Sequence, residues 1–152
     1  DLPSWVRDED QDGIVATEIK LWLKRRVRRD VMEIAASTRK RFDLKPRTIR
    51  VADMKNGWGA CGPTGAVLIN WTLVFAPKSV LEYVVVHELA HLKVRSHGQE
   101  FWAHLATLLP DYDRPKGWLE THQGSLDAGF LDLGAPRRAM HLRPGNSDRS
   151  AV

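Results

Sequence analysis

The stretch HELAHLKVRSH, residues 87–97, places three histidines and a glutamate within eleven positions. On a helix, His87 and His91 are four residues apart and share a face, with Cβ atoms about 5–6 Å apart. Two imidazole nitrogens on that face can reach one Zn²⁺ at roughly 2.0–2.1 Å. Glu88 is rotated by about 100° around the helix axis from His87. That offset keeps its carboxylate off the metal and beside a water held there, where hydrolysis needs a general base. Zinc would lower the pKa of such a water toward about 7. Glu88 would take its proton during attack on a peptide carbonyl and return it to the leaving amine.

A catalytic zinc takes three protein ligands and keeps one open position. His97 is the leading candidate for the third ligand. Ser96 and Gln99 form an S-x-x-Q capping box, which would start a new helix and fold His97 back toward the metal. The spacing 87, 91, 97 equals that of HExxHxxGxxH. Val94 stands where that pattern has its glycine, so the turn must be built differently and a metzincin is not inferred. His104, His122 and an acidic residue are the competing third ligands. The plain alternative, histidines incidental to an amphipathic helix, is disfavoured, because HExxH arises by chance in about one in a hundred chains of this length.

These residues need elements to hold them. Residues 14–42 read as a long helix, with Ile19, Leu23, Val27, Val31 and Ile34 on one stripe. Residues 47–76 read as sheet. TIRVADM (48–54) alternates, GWGACGPTG (57–65) must hold a turn or bulge, and AVLINWTLVF (66–75) is a strand with both faces apolar. A second helix is predicted over 78–93, with Ser79 and Glu82 as its capping box, and a third over 97–109, ended by Pro110. A short fourth helix covers 115–123. From Gly134 to Val152 the composition turns to Pro, Gly, Arg and Ser, as in a loose tail. Residues 1–133 are thus expected to form a single domain. A substrate peptide could pair in extended form with the 66–75 strand, which leads into the helix of the first two histidines.

Bulk properties narrow the setting. A chain of 152 residues can bury one real core. No apolar run is long enough to cross a bilayer, so no membrane partner is expected. The acidic, polar start DLPSWVRDEDQDG does not read as a signal peptide. One cysteine, Cys61, excludes an internal disulfide and a Cys-rich zinc module, and points to a reducing, cytoplasmic setting. The net charge is +4, with clusters at Lys24, Arg25, Arg26, Arg28, Arg29 and at Arg39, Lys40, Arg41. Such clusters either form the solvated face of a helix or bind phosphates. The second option supports an alternative reading, a nucleic-acid-binding module whose zinc is only structural and is closed by a fourth ligand such as His104 or Cys61.

The segment YVVVHELAHLKVRSHGQEFWAHLATLLPDY (83–112) resembles the YgjP-like metal-dependent peptidases, which are related to the WLM and SprT-type zinc proteases. GWGACGPTGAVLINWTLVFAP (57–77) resembles the segment that precedes the zinc helix in that family. The resemblance implies an α+β, zincin-like (gluzincin-type) minimal domain, with helices packed on a small, mainly antiparallel sheet. It implies that His87, His91 and His97 bind one catalytic zinc, that Glu88 is catalytic, and that the substrate is a peptide or protein. Related proteases act on proteins bound to DNA, which would suit the basic clusters. The family's upstream motif usually reads R-W-G-S-C-S. Here it is Gly57-Trp58-Gly59-Ala60-Cys61-Gly62, without the arginine and both serines.

Other features carry less. Cys61 reads as a packed small residue, with a redox-sensitive thiol or an inhibitory zinc ligand as the alternatives. Asp8, Asp10, Asp12 and Gly13 match the first half of a calcium loop, but position twelve falls on Ile19, so an acidic turn before a helix is the better reading. Trp58 and Trp71 are the tryptophans placed to line a substrate groove, and core packing is the expected role for each.

Overall fold

The computed structural model describes residues 8–122. The tail expected from residue 134 lies outside them. Helix α1 spans Asp8–Phe42, a rod of about 52 Å at 1.5 Å per residue. It begins earlier than expected and runs through the acidic stretch, which therefore forms neither a calcium loop nor a turn. From Val27 on, its apolar stripe is core: Val27 and Val31 are fully buried, and Ile34 and Ala35 nearly so. Leu23 packs at the margin of the core. Ile19, expected on the same stripe, is 40% exposed and Trp22 is 54% exposed. Among the described residues Ala16 is the one buried side chain of the first turns, before the stripe enters the core at Val27. Asp43, with φ 56°, closes the helix by donating its N–H to the Arg39 carbonyl at 2.9 Å.

Three strands follow: β1 (Thr48–Ala52), β2 (Gly59–Cys61) and β3 (Ala66–Asn70). Their order is β1-β3-β2. β2 and β3 form an antiparallel hairpin with Ala60 opposite Leu68. β1 pairs with β3 in parallel, from Thr48 opposite Ala66 to Ala52 opposite Asn70. The sheet is therefore mixed. β3 alternates inward Val67 and Ile69, both fully buried, with Leu68, which is exposed. One face of the sheet lies on the helices and the other is open, which corrects the expectation that both faces of this strand are covered.

The strand expected over 66–75 ends at Asn70, and Trp71–Phe75 is a 3₁₀ helix. Asn70 is the reason. Its side-chain oxygen accepts from the Thr72 N–H at 3.2 Å and from the Thr72 hydroxyl at 3.0 Å. Its amide donates to the carbonyls of Gly57 at 3.1 Å and Met54 at 3.4 Å. One buried side chain thus caps the helix and ties down the loop that leads into β2.

Helix α2 (Lys78–Ala90) is buried all round, from Val80 and Leu81 through Tyr83 to Ala90. That explains how the run Val84–Val86 sits in a helix: tertiary burial outweighs the weak intrinsic propensity of β-branched residues. Its N-cap is Pro77, with no side-chain cap, so the Ser79–Glu82 box is not formed. Helix α3 (Gln99–Leu108) buries Phe101, Leu105 and Leu108, and α4 (Asp113–His122) buries Pro115 and Leu119. α1, α3 and α4 all pack against α2, and β2 lies across it. No described helix is long and apolar enough to cross a membrane.

Asn70→Ala removes a helix cap and strips the Gly57 carbonyl of its donor. The expected cost is about 2–4 kcal/mol, read from the urea midpoint with an unchanged slope. A loss below about 0.5 kcal/mol would show that the loop holds without it.

Candidate active site at the end of the central helix

His87 lies in the last turn of α2 and His91 is the residue that caps it. The chain then turns through short bonds: Leu92 N–H to Leu89 O at 3.0 Å, and Lys93 and Val94 N–H to Ala90 O at 3.1 Å. Among the described residues only Asp43 is a non-glycine with positive φ. Val94 therefore makes the turn in ordinary backbone geometry, which is why no glycine is needed there. Its carbonyl is used as well, lying 2.9 Å from His91 Nδ1. The expected Ser96–Gln99 cap is absent. α3 starts at Gln99 from Gly98, with no side-chain cap, so His97 sits in the loop before the helix rather than inside it. Trp102 pins that loop by donating its indole N–H to the His97 carbonyl at 3.2 Å.

The three histidines converge. His97 Nε2 lies 3.0 Å from His87 Nε2 and 3.0 Å from His91 Nε2. His87, His91 and His97 are the one group of metal-capable side chains among the described residues whose ligand atoms all fall within 4.8 Å of one another. A single N–H on His97 can point along only one of its two contacts. His91 Nδ1 faces a carbonyl and so carries the proton of that ring, which leaves Nε2 with a lone pair. A cation satisfies all three nitrogens at once. Tetrahedral ligands at about 2.0–2.1 Å stand roughly 3.3–3.4 Å apart, close to what is seen. The residues fit a metal ion.

Phe101 organises the rings. It is fully buried and stacks on His91 at 4.3 Å and 20° between planes, with His87 at 4.8 Å and His97 at 5.0 Å. Phe101 and Trp102 are apolar residues of the expected third helix that the sequence does not otherwise single out. Their position four and five residues after His97, opening the next helix, was the available signal. Arg95 was missed entirely. Its guanidinium donates to Cys61 O and Gly62 O, each at 3.0 Å, and so ties the loop between the histidines to the end of β2. Nothing local in the sequence announces that pairing, because the partners are 33 and 34 residues apart.

Glu88 has no exposed surface, and neither of its carboxylate oxygens has a hydrogen-bond partner among the described residues. β2 lies directly over it. A Cβ on Gly59 would stand 3.0 Å from Glu88 Cγ, 3.1 Å from Val84 Cγ1 and 3.2 Å from the Leu68 carbonyl oxygen. Only glycine lets the strand come that close. Burial pushes the Glu88 carboxyl well above the usual carboxylate range, opposed by the positive charge of Arg95. Burial and the neighbouring imidazoles push His87 well below the usual histidine range. Burial likewise lowers His91 to about 4, with its bond to Val94 acting against the shift. All three effects keep the site in its uncharged form, as expected for polar groups withdrawn from water.

The competing ligands are elsewhere. His104 is half-buried beside Lys93 and Glu100 and outside the cluster. His122 stacks on Trp118 at 4.4 Å on the surface of α4. Cys61 is buried, its thiol pushed up by burial and by Glu88, and it too is outside the cluster. Trp58 and Trp71 are buried in the core. In the altered upstream motif, Trp58, Gly59 and Cys61, which match the family, are the fully packed positions. Gly57, in place of arginine, has φ 81°, a conformation in which arginine would be strained.

A helix that ends in two histidines, a loop that returns a third, and a sheet edge above the intervening glutamate define a zincin-like α+β metallopeptidase fold. The model of the YgjP-like metallopeptidase domain matches residues 4–122, and the chain belongs to that family of metal-dependent peptidases. Among solved structures it is similar in fold to the crystal structure of the metallopeptidase zymogen of Pyrococcus abyssi abylysin. That likeness has a TM-score of 0.53 and 17% identity, covering 61% of this chain and 95% of that one. No curated protein matches the chain.

The opposed shifts at the site predict a specific pH response of the metal-free protein. His87 and His91 have folded pKa values below the unfolded value of about 6.5, so the unfolded chain takes up protons first. Their contribution to stability is lost as pH falls from about 6.5 to 4. Glu88 has a raised folded pKa, so its contribution is lost as pH rises through that value. The two slopes offset each other in the wild type. In Glu88→Gln only the histidine slope remains, and urea unfolding should show a steeper loss of stability between pH 6.5 and 4.5. Equal slopes in the two proteins would contradict the burial of Glu88.

Proposed function

We propose that this protein hydrolyses peptide bonds with one zinc ion held by His87, His91 and His97 and with Glu88 as general base. The observation that carries this reading is the meeting of three imidazole Nε2 atoms at 3.0 Å beside a buried carboxylate without a partner. An all-nitrogen set of three fits zinc in an open, catalytic site. The ion supplies a Lewis acid and an acidified water when bound. The residues do the rest. His91, fixed by Val94, presents Nε2 in one orientation, and Phe101 stops the rings from turning. With a cation on the three imidazoles the neighbouring positive charge would favour the ionised form of Glu88, and burial would make that carboxylate a stronger base, able to accept a proton and deliver it to the leaving nitrogen.

The sheet suggests how a peptide would lie. The expected pairing strand, β3, has both edges occupied, by β1 and β2. β1 and β2 are the outer strands, and β2 is the one that lies directly above Glu88. Gly62 N–H and Trp58 O bond toward β3, so the alternating Gly59 and Cys61 turn their backbone groups outward. An extended substrate adding to that edge would pass over the site.

The alternative reading, a structural zinc in a nucleic-acid module, needs a fourth ligand. Neither Cys61, His104 nor His122 joins the cluster among the described residues, which favours the enzyme. Contact with nucleic acid alongside peptidase activity is supported by Arg25, Arg26, Arg28 and Arg29, which are exposed on α1. If it occurs, replacing these four with Gln should weaken DNA binding and reduce the slope of log K against log salt by roughly one per lost phosphate contact. An unchanged slope assigns the cluster to solvation alone.

The test of the hydrolase is Glu88→Gln. It should retain one zinc per chain by elemental analysis and lower kcat/KM on a peptide by roughly 10²–10⁴-fold. Wild-type rates from the zinc-loaded variant would sink the mechanism.

A further inference from the structure

Beyond β2 the turn through Pro63, Thr64 and Gly65 borders a cleft of about 430 Å³. Lys45, Arg47 and Arg95 line it, Leu92 forms part of its wall, and no acidic side chain does. None of the three cations has an ion-pair partner among the described residues. The cleft is also rigidly framed. Arg47 N–H donates to Gly65 O at 2.8 Å, Gly65 N–H to Gly62 O at 3.1 Å, and Gly62 N–H to Ala66 O at 2.8 Å. Gly65 holds φ 88° in that turn, a conformation glycine adopts without strain. Arg95 closes the frame from the other side through Cys61 O and Gly62 O. Those two bonds use part of a guanidinium with five N–H donors, leaving others for a ligand.

Position gives the cleft its meaning. Cys61 O is the last outward carbonyl of the pairing edge, and Arg95 already occupies it. A peptide laid along β2 from Gly59, above Glu88, therefore reaches Arg95 about two residues further on, at roughly 3.3 Å per residue, and with it the cleft that Arg95 shares with Lys45 and Arg47. Leu92 directly follows His91, so the cleft and the histidines share one turn of chain. We propose that this cleft is a specificity subsite that binds a carboxylate of the substrate peptide, and so directs the enzyme to acidic sequences. The inference rests on the peptidase reading and deepens it. Arginine and lysine in a partly enclosed cleft bind a carboxylate through charge-assisted hydrogen bonds. The carboxylate can belong to an acidic side chain or to the chain terminus.

The test uses the full chain as zinc-loaded Glu88→Gln and a set of fluorescent decapeptides, acetylated and amidated. One Glu is stepped through an otherwise neutral sequence, with Gln at the same position as control. A further arm has neutral side chains and a free C-terminus. Anisotropy should show Glu at one position binding about tenfold tighter than Gln, with the gain abolished by Lys45→Gln with Arg47→Gln. A gain only for the free C-terminus, abolished in the same way, assigns the subsite to the terminal carboxylate. No preference, no binding, or a preference that survives the double substitution overturns the proposal. The hydrolase reading is scored separately. Wild-type cleavage of neutral peptides without acid preference keeps the peptidase and removes the subsite. Charge-selective binding without any wild-type cleavage keeps the subsite and removes the peptidase.

Discussion

The rest of the structure depends on one constraint: four polar side chains that can each take a charge must sit together in the driest part of the molecule. His87, His91, His97 and Glu88 are all nearly or fully buried. Withdrawing such groups from water is costly unless they are neutral, paired or bound to a cation. The protein keeps them neutral by burial and sets three imidazole nitrogens where one ion can answer all of them. The packing around them follows from that need. α2 is buried on every side because both its ligand face and its apolar face must be dry.

Holding the geometry falls to groups outside the motif. Phe101 packs against all three rings, and its stack on His91 leaves that imidazole little freedom to turn. The Val94 carbonyl fixes which nitrogen of His91 carries the proton. Trp102 holds the loop that delivers His97, and Tyr112 stacks on Trp102 at 5.5 Å, joining α4 to the same support. Partners of this kind orient ligands and set their basicity. Arg95 bridges two functions, since it draws the histidine loop onto β2 and lends positive charge toward Glu88.

The sheet matters through closeness as much as through hydrogen bonds. β2 has three residues, and its first is a glycine because Glu88 and Val84 leave no room for a methyl group. The loop before β2 is fixed by Asn70, a residue of β3 whose side chain reaches back to Gly57 and Met54. The same side chain ends β3 and starts the 3₁₀ helix. One asparagine thus sets both the length of the central strand and the height of the edge strand over the site.

The sequence by itself determined which side chains could do chemistry together. HELAH fixes the separation of His87 and His91 through helical geometry alone, and His97 follows closely enough that a short loop must return it. The helices were legible because their apolar periodicity is strong, and the sheet because β-branched segments follow the long first helix. The ends of elements were not legible. Capping patterns at Ser79 and Ser96 suggested starts that Pro77 and Gly98 provide instead, since a cap forms only where the backbone presents free N–H groups to it. AVLINWTLVF looked like one strand because its hydrophobicity is continuous, and only the long-range bonds of Asn70 cut it short. Which strands are outermost, how Phe101 packs against the three rings and where Arg95 reaches were decided by tertiary structure. Each depends on residues far apart in the chain, whose meeting no local pattern encodes.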